Sequence, residues 1–264
     1  MDTIQAIILG IVQGITEFLP VSSSGHLQIA KALLGVSIEE NLLFDVTLHA
    51  ATVLSTIVVL WSEVARLVRG LFSRRFNEEQ AYVLKLLLSM IPIGIVGFTL
   101  KDRLNALLES PAILLVVGCM LLLTAALLAF ADYAKPRQKA QLSYRDAFII
   151  GVAQAAAAMP GLSRSGSTIA AGLLLGNRKE TVAQFSFLMV LAPILGETFL
   201  ELMKGNLGTQ NIGSVPLAAG FLAAFVVGCL ACKFMIEVVK RGKLVWFALY
   251  CAAAGLVSIL SYLL

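Results

Sequence analysis

Four side chains in this sequence combine charge or reactivity with apolar surroundings: Glu17, Ser23, His26 and Arg164. Arg164 is the sharpest signal. It stands between Ser163 and Ser165 in the run PGLSRSGST, inside an otherwise apolar stretch. An arginine at the centre of a membrane segment costs about 2.5–3.5 kcal/mol even on lenient insertion scales, so such residues usually serve a substrate or ion pathway. The guanidinium is a planar fork suited to phosphate oxygens. Ser163, Ser165, Gly166, Ser167 and Thr168 surround it with small polar groups where a half-helix is expected to open, and helix starts favour anions. The alternative is an arginine that pairs with Glu17 to hold two parts of the chain together.

The second polar break is QGITEFLPVSSSGH, residues 13–26. Gln13 and Glu17 are four apart and share a helix face. Glu17 could act as a base, or hold a divalent ion. One carboxylate and one amide are an incomplete metal site, so an ion there would need phosphate oxygens as well. Ser22, Ser23, Ser24 and Gly25 follow Pro20. A serine nucleophile needs a base nearby, and the plainer reading is that these hydroxyls satisfy backbone groups freed by the break. His26 could protonate a leaving oxygen or bind phosphate. Asp45 and His49 are one helical turn apart and read as a structural pair. Glu197 and Glu201 are also one turn apart, and their role stays open.

These residues must be positioned by membrane helices. The 264-residue chain is 59% hydrophobic and only 14% charged, a balance that excludes an ordinary soluble domain. Runs of about 20 apolar residues recur, long enough to cross the hydrocarbon core. Period-two alternation is absent, which argues against a β-barrel. The sequence predicts six full spans, at about 42–61, 82–100, 111–131, 182–204, 215–239 and 244–264. Two more apolar stretches, 3–35 and 144–176, are interrupted by the polar clusters. The N-terminal MDTIQAIILG has no positive region and reads as no cleavable signal. Cys119, Cys229, Cys232 and Cys251 lie in apolar runs and read as packing residues. Trp61 and Trp246 fall near span ends, as interfacial anchors do. The formal charge of +4 reflects loop asymmetry, and no nucleic-acid partner is expected.

The two interrupted stretches are copies. Residues 6–35 laid over 147–176, a shift of 141, match at 11 of 30 positions, including Gly10/Gly151, Gln13/Gln154, Ser22/Ser163, Ser24/Ser165, Gly25/Gly166 and Gly35/Gly176. Each half is therefore one interrupted unit followed by three spans. If both units enter the membrane and turn back, 13 cations fall on one side: Arg66, Arg69, Arg74, Arg75, Lys135, Arg137, Lys139, Arg145, Arg178, Lys179, Lys240, Arg241 and Lys243. The other side then holds 4, namely Lys31, Lys101, Arg103 and Lys204. If both units cross, the same cations split 9 to 8. Only the re-entrant arrangement obeys the positive-inside rule. The expectation is an all-α polytopic membrane protein of one domain, 1–264. It is built from inverted-topology repeats, 1–135 and 142–264, each a re-entrant helical hairpin followed by three transmembrane helices. Such repeats bring broken helices together near the bilayer midplane, where irregular backbone survives only if buried or lining a cavity.

QGITEFLPVSSSGH and PGLSRSGST resemble the signature motifs of the bacterial undecaprenyl-pyrophosphate phosphatases of the bacitracin-resistance type, and the similarity extends over nearly the whole chain. The resemblance implies hydrolysis of undecaprenyl pyrophosphate to the monophosphate and inorganic phosphate, which recycles the lipid carrier of cell-wall synthesis. It implies a divalent cation, Mg or Ca, and a multi-pass protein of the bacterial cytoplasmic membrane whose site opens toward the periplasm. It also implies catalytic roles for Glu17, Ser23, His26 and Arg164. The family writes its acidic motif with Glu or Gln first and Glu four later. Here the first position is the amide Gln13, so only Glu17 bears charge as a metal ligand.

The residues alone agree with an anionic head group at a polar midplane pocket and an apolar tail in lipid, but do not name the lipid. They leave Ser23 attack and a water oriented by Glu17 both open, with His26 as proton donor in the first. A secondary transporter or flippase for an anionic polyprenyl lipid is the main alternative, because inverted repeats with midplane half-helices are also a transporter design. A purely structural scaffold would leave the intramembrane Arg and Glu unexplained. Self-association is left open.

Overall fold

The computed structural model describes residues 1–36, 42–108, 110–133, 139, 141–196 and 212–263. Among these no strand occurs. The helices are α1 (Thr3–Phe18), α2 (Ser23–Leu33), α3 (Leu42–Val59), α4 (Trp61–Leu71), α5 (Glu78–Thr99), α6 (Lys101–Leu108), α7 (Ile113–Tyr133), α8 (Tyr144–Ala156), α9 (Arg164–Leu174) and α10 (Lys179–Met189). After a short helical piece at 191–196 come α11 (Ser214–Arg241) and α12 (Val245–Leu263).

Four of the described helices, α5, α7, α11 and α12, are long and apolar enough to cross a membrane, and the bent pair α3–α4 counts as a fifth only if it is taken as one span. Their outward faces carry exposed residues such as Leu87, Ile91, Ile95, Phe130, Leu222, Leu230 and Val257. A continuous apolar surface of this kind is what lipid requires and water does not tolerate. The chain is a multi-pass membrane protein.

Two expected spans differ in detail. The 42–61 span ends at Val59 and turns by 83° into α4. The cause is visible in WSEVARLVRGL: Glu63, Arg66 and Arg69 cannot continue into hydrocarbon, so the helix folds over, with Trp61 at the corner 63% exposed. The 182–204 span breaks at Val190, which caps α10, and its portion from 197 onward, with Glu197 and Glu201, lies outside the described residues.

Helices pair through small residues. A Cβ on Gly10 of α1 would meet the Gly220 carbonyl oxygen of α11 at 2.4 Å, and one on Gly14 would meet the Ala224 oxygen at 2.8 Å. A Cβ on Gly151 of α8 would lie 2.4 Å from the Ser89 oxygen of α5. Hence α1 packs on α11 and α8 on α5, while α7 lies against α12, where Gly118 faces Gly255. With lipid outside, such close backbone approach, rather than water exclusion, drives helix association. Buried hydroxyls add cross-helix bonds: Ser55 Oγ donates to the Phe225 carbonyl (2.9 Å) and Ser258 Oγ to the Leu114 carbonyl (2.7 Å). Gly151→Ala is expected to cost about 1–3 kcal/mol by overpacking, read as a lower thermal midpoint in detergent. An unchanged midpoint would show that α5 and α8 can separate freely.

The two interrupted stretches are hairpins, α1–α2 and α8–α9, and details recur between them at the 141-residue shift. Asp2 with Gln5 and Ser143 with Asp146 form capping boxes at the starts of α1 and α8. Gly35 (φ +64°) and Gly176 (φ +83°) take left-handed backbone after α2 and α9, which only glycine adopts cheaply.

Candidate active site

Each hairpin stops its first helix early. In the first, Pro20 lacks the N–H that would continue α1, and the chain turns through Leu19–Ser22. Ser22 sits at φ +71°, a left-handed conformation unusual for a residue with a side chain. Such strain clusters at functional sites. In the second, Gly161 takes φ +90°, and a Cβ there would lie 2.6 Å from the Val117 Cα. The turn is thus pressed against the backbone of α7, and the Ser163 N–H donates to Thr124 Oγ1 of α7 (3.1 Å).

The tips meet at Glu17. Its Oε1 accepts from Arg164 Nη2 in a close ion pair. Its Oε2 accepts from Ser23 Oγ (2.8 Å) and from Gln13 Nε2 (3.0 Å). One carboxylate, only 6% exposed, therefore joins a serine of one hairpin to the arginine of the other. Ser165 Oγ adds a second bond between tips, to the Leu19 carbonyl (3.1 Å). The hydroxyls also pair within each tip, Ser22 with Ser24 (3.3 Å) and Ser163 with Ser165 (3.4 Å).

Both return helices start here. Ser163 caps α9 by accepting from the Gly166 N–H (3.1 Å), and Arg164 occupies its first turn, as Ser23 does in α2. First-turn amides have no carbonyl partner within their own helix, so two positive helix ends converge on the space that holds the arginine. Exposure grades across the site: Glu17, Gln13, Ser22, Ser163, Ser165 and Ser167 are buried, Ser23 and His26 half-buried, Ser24 exposed. Gly25 is buried with Val117 beside it. Thr168 is fully buried, and its hydroxyl bonds Ser186 (2.6 Å) and the Arg164 carbonyl (2.9 Å). The Ser167 hydroxyl and Gln13 Oε1 are buried without a hydrogen-bond partner among the described residues.

His26 lies on the first return helix. Its Nδ1 is 2.9 Å from the Ser22 carbonyl and its Nε2 is 2.6 Å from Tyr250 Oη on α12. Tyr250 stood out for nothing in the sequence, being one aromatic residue in an apolar span. Asp45 does not take His49 as its ion-pair partner. It pairs with Lys31 (2.6 Å), a lysine only 2% exposed. A buried lysine on α2 needs a carboxylate more than a histidine does, and nothing in the spacing of Asp45 and Lys31 announces this.

No cluster of three or more His, Cys, Asp or Glu side chains occurs among the described residues. The oxygen donors here are Glu17 and the unpartnered Gln13 Oε1. They are hard ligands of the type Mg and Ca take, and they fit an ion that completes its shell with phosphate oxygens.

A family model described as bacitracin resistance protein BacA matches residues 6–257. The chain is 62% identical to an undecaprenyl-diphosphatase of Parabacteroides distasonis over 267 residues, covering 100% of each. It is 60% identical to one of Bacteroides fragilis over 98% of each chain. A more distant relative of the same description, from Methanosphaera stadtmanae, is 36% identical over 98% of each.

Proposed function

The chain belongs to the bacitracin resistance protein BacA family, and from that premise we infer that it is an undecaprenyl-diphosphatase, a membrane enzyme that hydrolyses the pyrophosphate of a polyprenyl lipid. Identity of 62% over the full length to a protein of that description supports the activity. The transporter reading gains no support from these relatives. The observation that carries the catalytic reading is the single Glu17 carboxylate bridging Ser23 and Arg164.

The inverted-repeat arrangement, 1–135 and 142–264, belongs to the same proposal. It is supported by matched capping boxes, matched left-handed glycines and matched hydroxyl pairs. The exchange of partners supports it further: the first hairpin packs on α11 of the second half, and the second hairpin on α5 of the first. With the Arg- and Lys-rich side cytoplasmic, both termini and the opening of the first hairpin face the periplasm of a bacterial cytoplasmic membrane.

The polyprenyl tail stays in lipid and the pyrophosphate reaches the facing tips. Arg164 leaves Glu17 for the phosphate oxygens, which offer more charge, and this frees Glu17 to serve as base. Ser23 Oγ attacks the terminal phosphorus as its proton passes to Glu17 Oε2. The bridging oxygen departs on undecaprenyl phosphate and takes a proton from His26. Water then attacks the phosphoserine, losing a proton to His26 while Ser23 Oγ recovers its own from Glu17, and inorganic phosphate is released. Arg164, the Ser22, Ser24, Ser163, Ser165 and Ser167 hydroxyls and the amides near Gly25 and Gly166 neutralise charge on the transferring phosphoryl group, the main demand of such a step. A divalent cation, when bound, supplies further neutralisation, with Glu17 and Gln13 as its protein ligands.

Purified protein in detergent micelles, where no gradient exists, is expected to release inorganic phosphate from undecaprenyl pyrophosphate, with less release in the presence of a chelator. A transporter would release none there, yet would move the lipid in sealed vesicles. Phosphate release unaffected by chelation would remove the cation from the scheme.

A further inference from the structure

We propose that Tyr250 is a positioning residue for His26, fixing from the opposite end of the chain the direction of an imidazole whose tautomer the Ser22 carbonyl sets. The inference rests on the reading of His26 as proton donor.

The two ring nitrogens have different partners. A carbonyl oxygen can only accept, so the nitrogen facing it at 2.9 Å, Nδ1, carries a hydrogen. In the neutral ring Nε2 is then the acceptor, and Tyr250 Oη, 2.6 Å away, donates to it. When Nε2 is protonated the same hydroxyl turns and accepts. A tyrosine can serve both states, which a lysine or a carboxylate cannot. With Nδ1 held on the hairpin backbone, Nε2 is the nitrogen left to give or take a proton; Tyr250 occupies its one in-plane position in the free protein and yields it to the leaving oxygen when substrate binds.

Further contacts fix this geometry. The His26 and Tyr250 rings are stacked, with centroids 5.6 Å apart and planes 22° from parallel. One residue on, Cys251 Sγ donates to the Pro20 carbonyl (3.3 Å), so α12 grips the same hairpin turn twice. Tyr250 is 49% exposed, on a helix whose exposed residues include Trp246, Leu249, Leu256, Val257 and Leu260. A phenol hydroxyl facing hydrocarbon is costly without a partner. Here the cost is met by bonding a functional imidazole, on the half-exposed side where the site opens.

Tyr250→Phe keeps the ring and its stacking and removes only the hydroxyl. It is expected to lower kcat about tenfold, a fraction of what a general acid contributes, with KM changed less than about twofold. In a His26→Ala background the same change is expected to add less than about a twofold effect, because the two residues act as one unit. The chain has only two histidines, so nitrogen-15 spectra of histidine-labelled protein in detergent can be assigned by His49→Gln. His26 is expected to show a protonated Nδ1, and its Nε2 resonance should move toward that of an unbonded ring nitrogen in Tyr250→Phe. An unmoved resonance, or an equal loss of turnover with and without His26, would overturn the proposal. Should His26→Ala itself retain full turnover, His26 is no proton donor, and the Nε2 resonance still decides whether Tyr250 holds the ring.

Discussion

Arg164→Ala is expected to lower kcat/KM for undecaprenyl pyrophosphate by about 10³ or more and, separately, to destabilise the protein. The catalytic loss follows from removing the cation of the site, since an arginine that stabilises a transferring phosphoryl group is worth about 10³–10⁵ in rate. The stability loss has another origin. Glu17 is 6% exposed and Arg164 21% exposed, and removing one partner of a buried ion pair costs about 3–5 kcal/mol because the other charge stays behind. The effects come apart in the double variant Glu17→Gln with Arg164→Ala. Removing both charges should restore most of the thermal midpoint and none of the turnover. Arg164→Lys keeps the charge and loses the fork, so it should fall between wild type and alanine in rate. If Arg164→Ala in detergent kept more than a tenth of the wild-type phosphate release, the arginine would be a strut between hairpins and nothing more.

In the proposed scheme the strut and the catalyst are one residue, and that is why the sequence exposes it so plainly. Lipid penalises an unpaired guanidinium, so its presence in a Ser- and Gly-rich break marks a site before any fold is known. The pairing with Glu17 also admits a structural reading, and the Ser23 bond to the same carboxylate adds chemistry to it. The hairpins were legible for a related reason. Pro20 and Gly161 cannot continue a helix at those places, and the copied polar residues 141 positions apart betray two uses of one unit.

What the sequence hid was set by long-range packing. Tyr250 reaches His26 across 224 positions, and no local pattern records that. Lys31, counted as an outer loop charge, lies buried on α2 against Asp45. Hydropathy alone extends the span to Trp61 and so conceals the bend between α3 and α4. The amphipathic spacing of Glu63, Arg66 and Arg69 contained it, and the Arg66–Glu63 pair at 2.7 Å now lines the polar face. A span is a statement about composition, whereas a turn into the interface depends on where charge begins to recur.

Ser23→Ala is the second decisive substitution, and it is expected to reduce turnover by at least about 10³, the scale of losing a covalent nucleophile. The argument rests on an arrangement already present without substrate. Ser23 Oγ donates to Glu17 at 2.8 Å, the separation a nucleophile and its base require. Glu17 is in turn oriented by Gln13, a third group behind the base, and by Arg164 until substrate draws the guanidinium away. The serine is half-buried at the start of α2, where helix-end amides favour a phosphorylated oxygen. Substrate labelled in its terminal phosphate, quenched by acid during turnover, should leave label on Ser23, and none in Ser23→Ala. Glu17→Gln should lose both label and turnover, because the amide cannot take the serine proton. If Ser23→Ala turned over at the wild-type rate, the attacking oxygen would have to come from water held by Glu17. The Ser23 hydroxyl would then be one more donor in the anion cradle. The same carboxylate would stand at the centre of either path, since no other described acidic side chain bonds both hairpin tips.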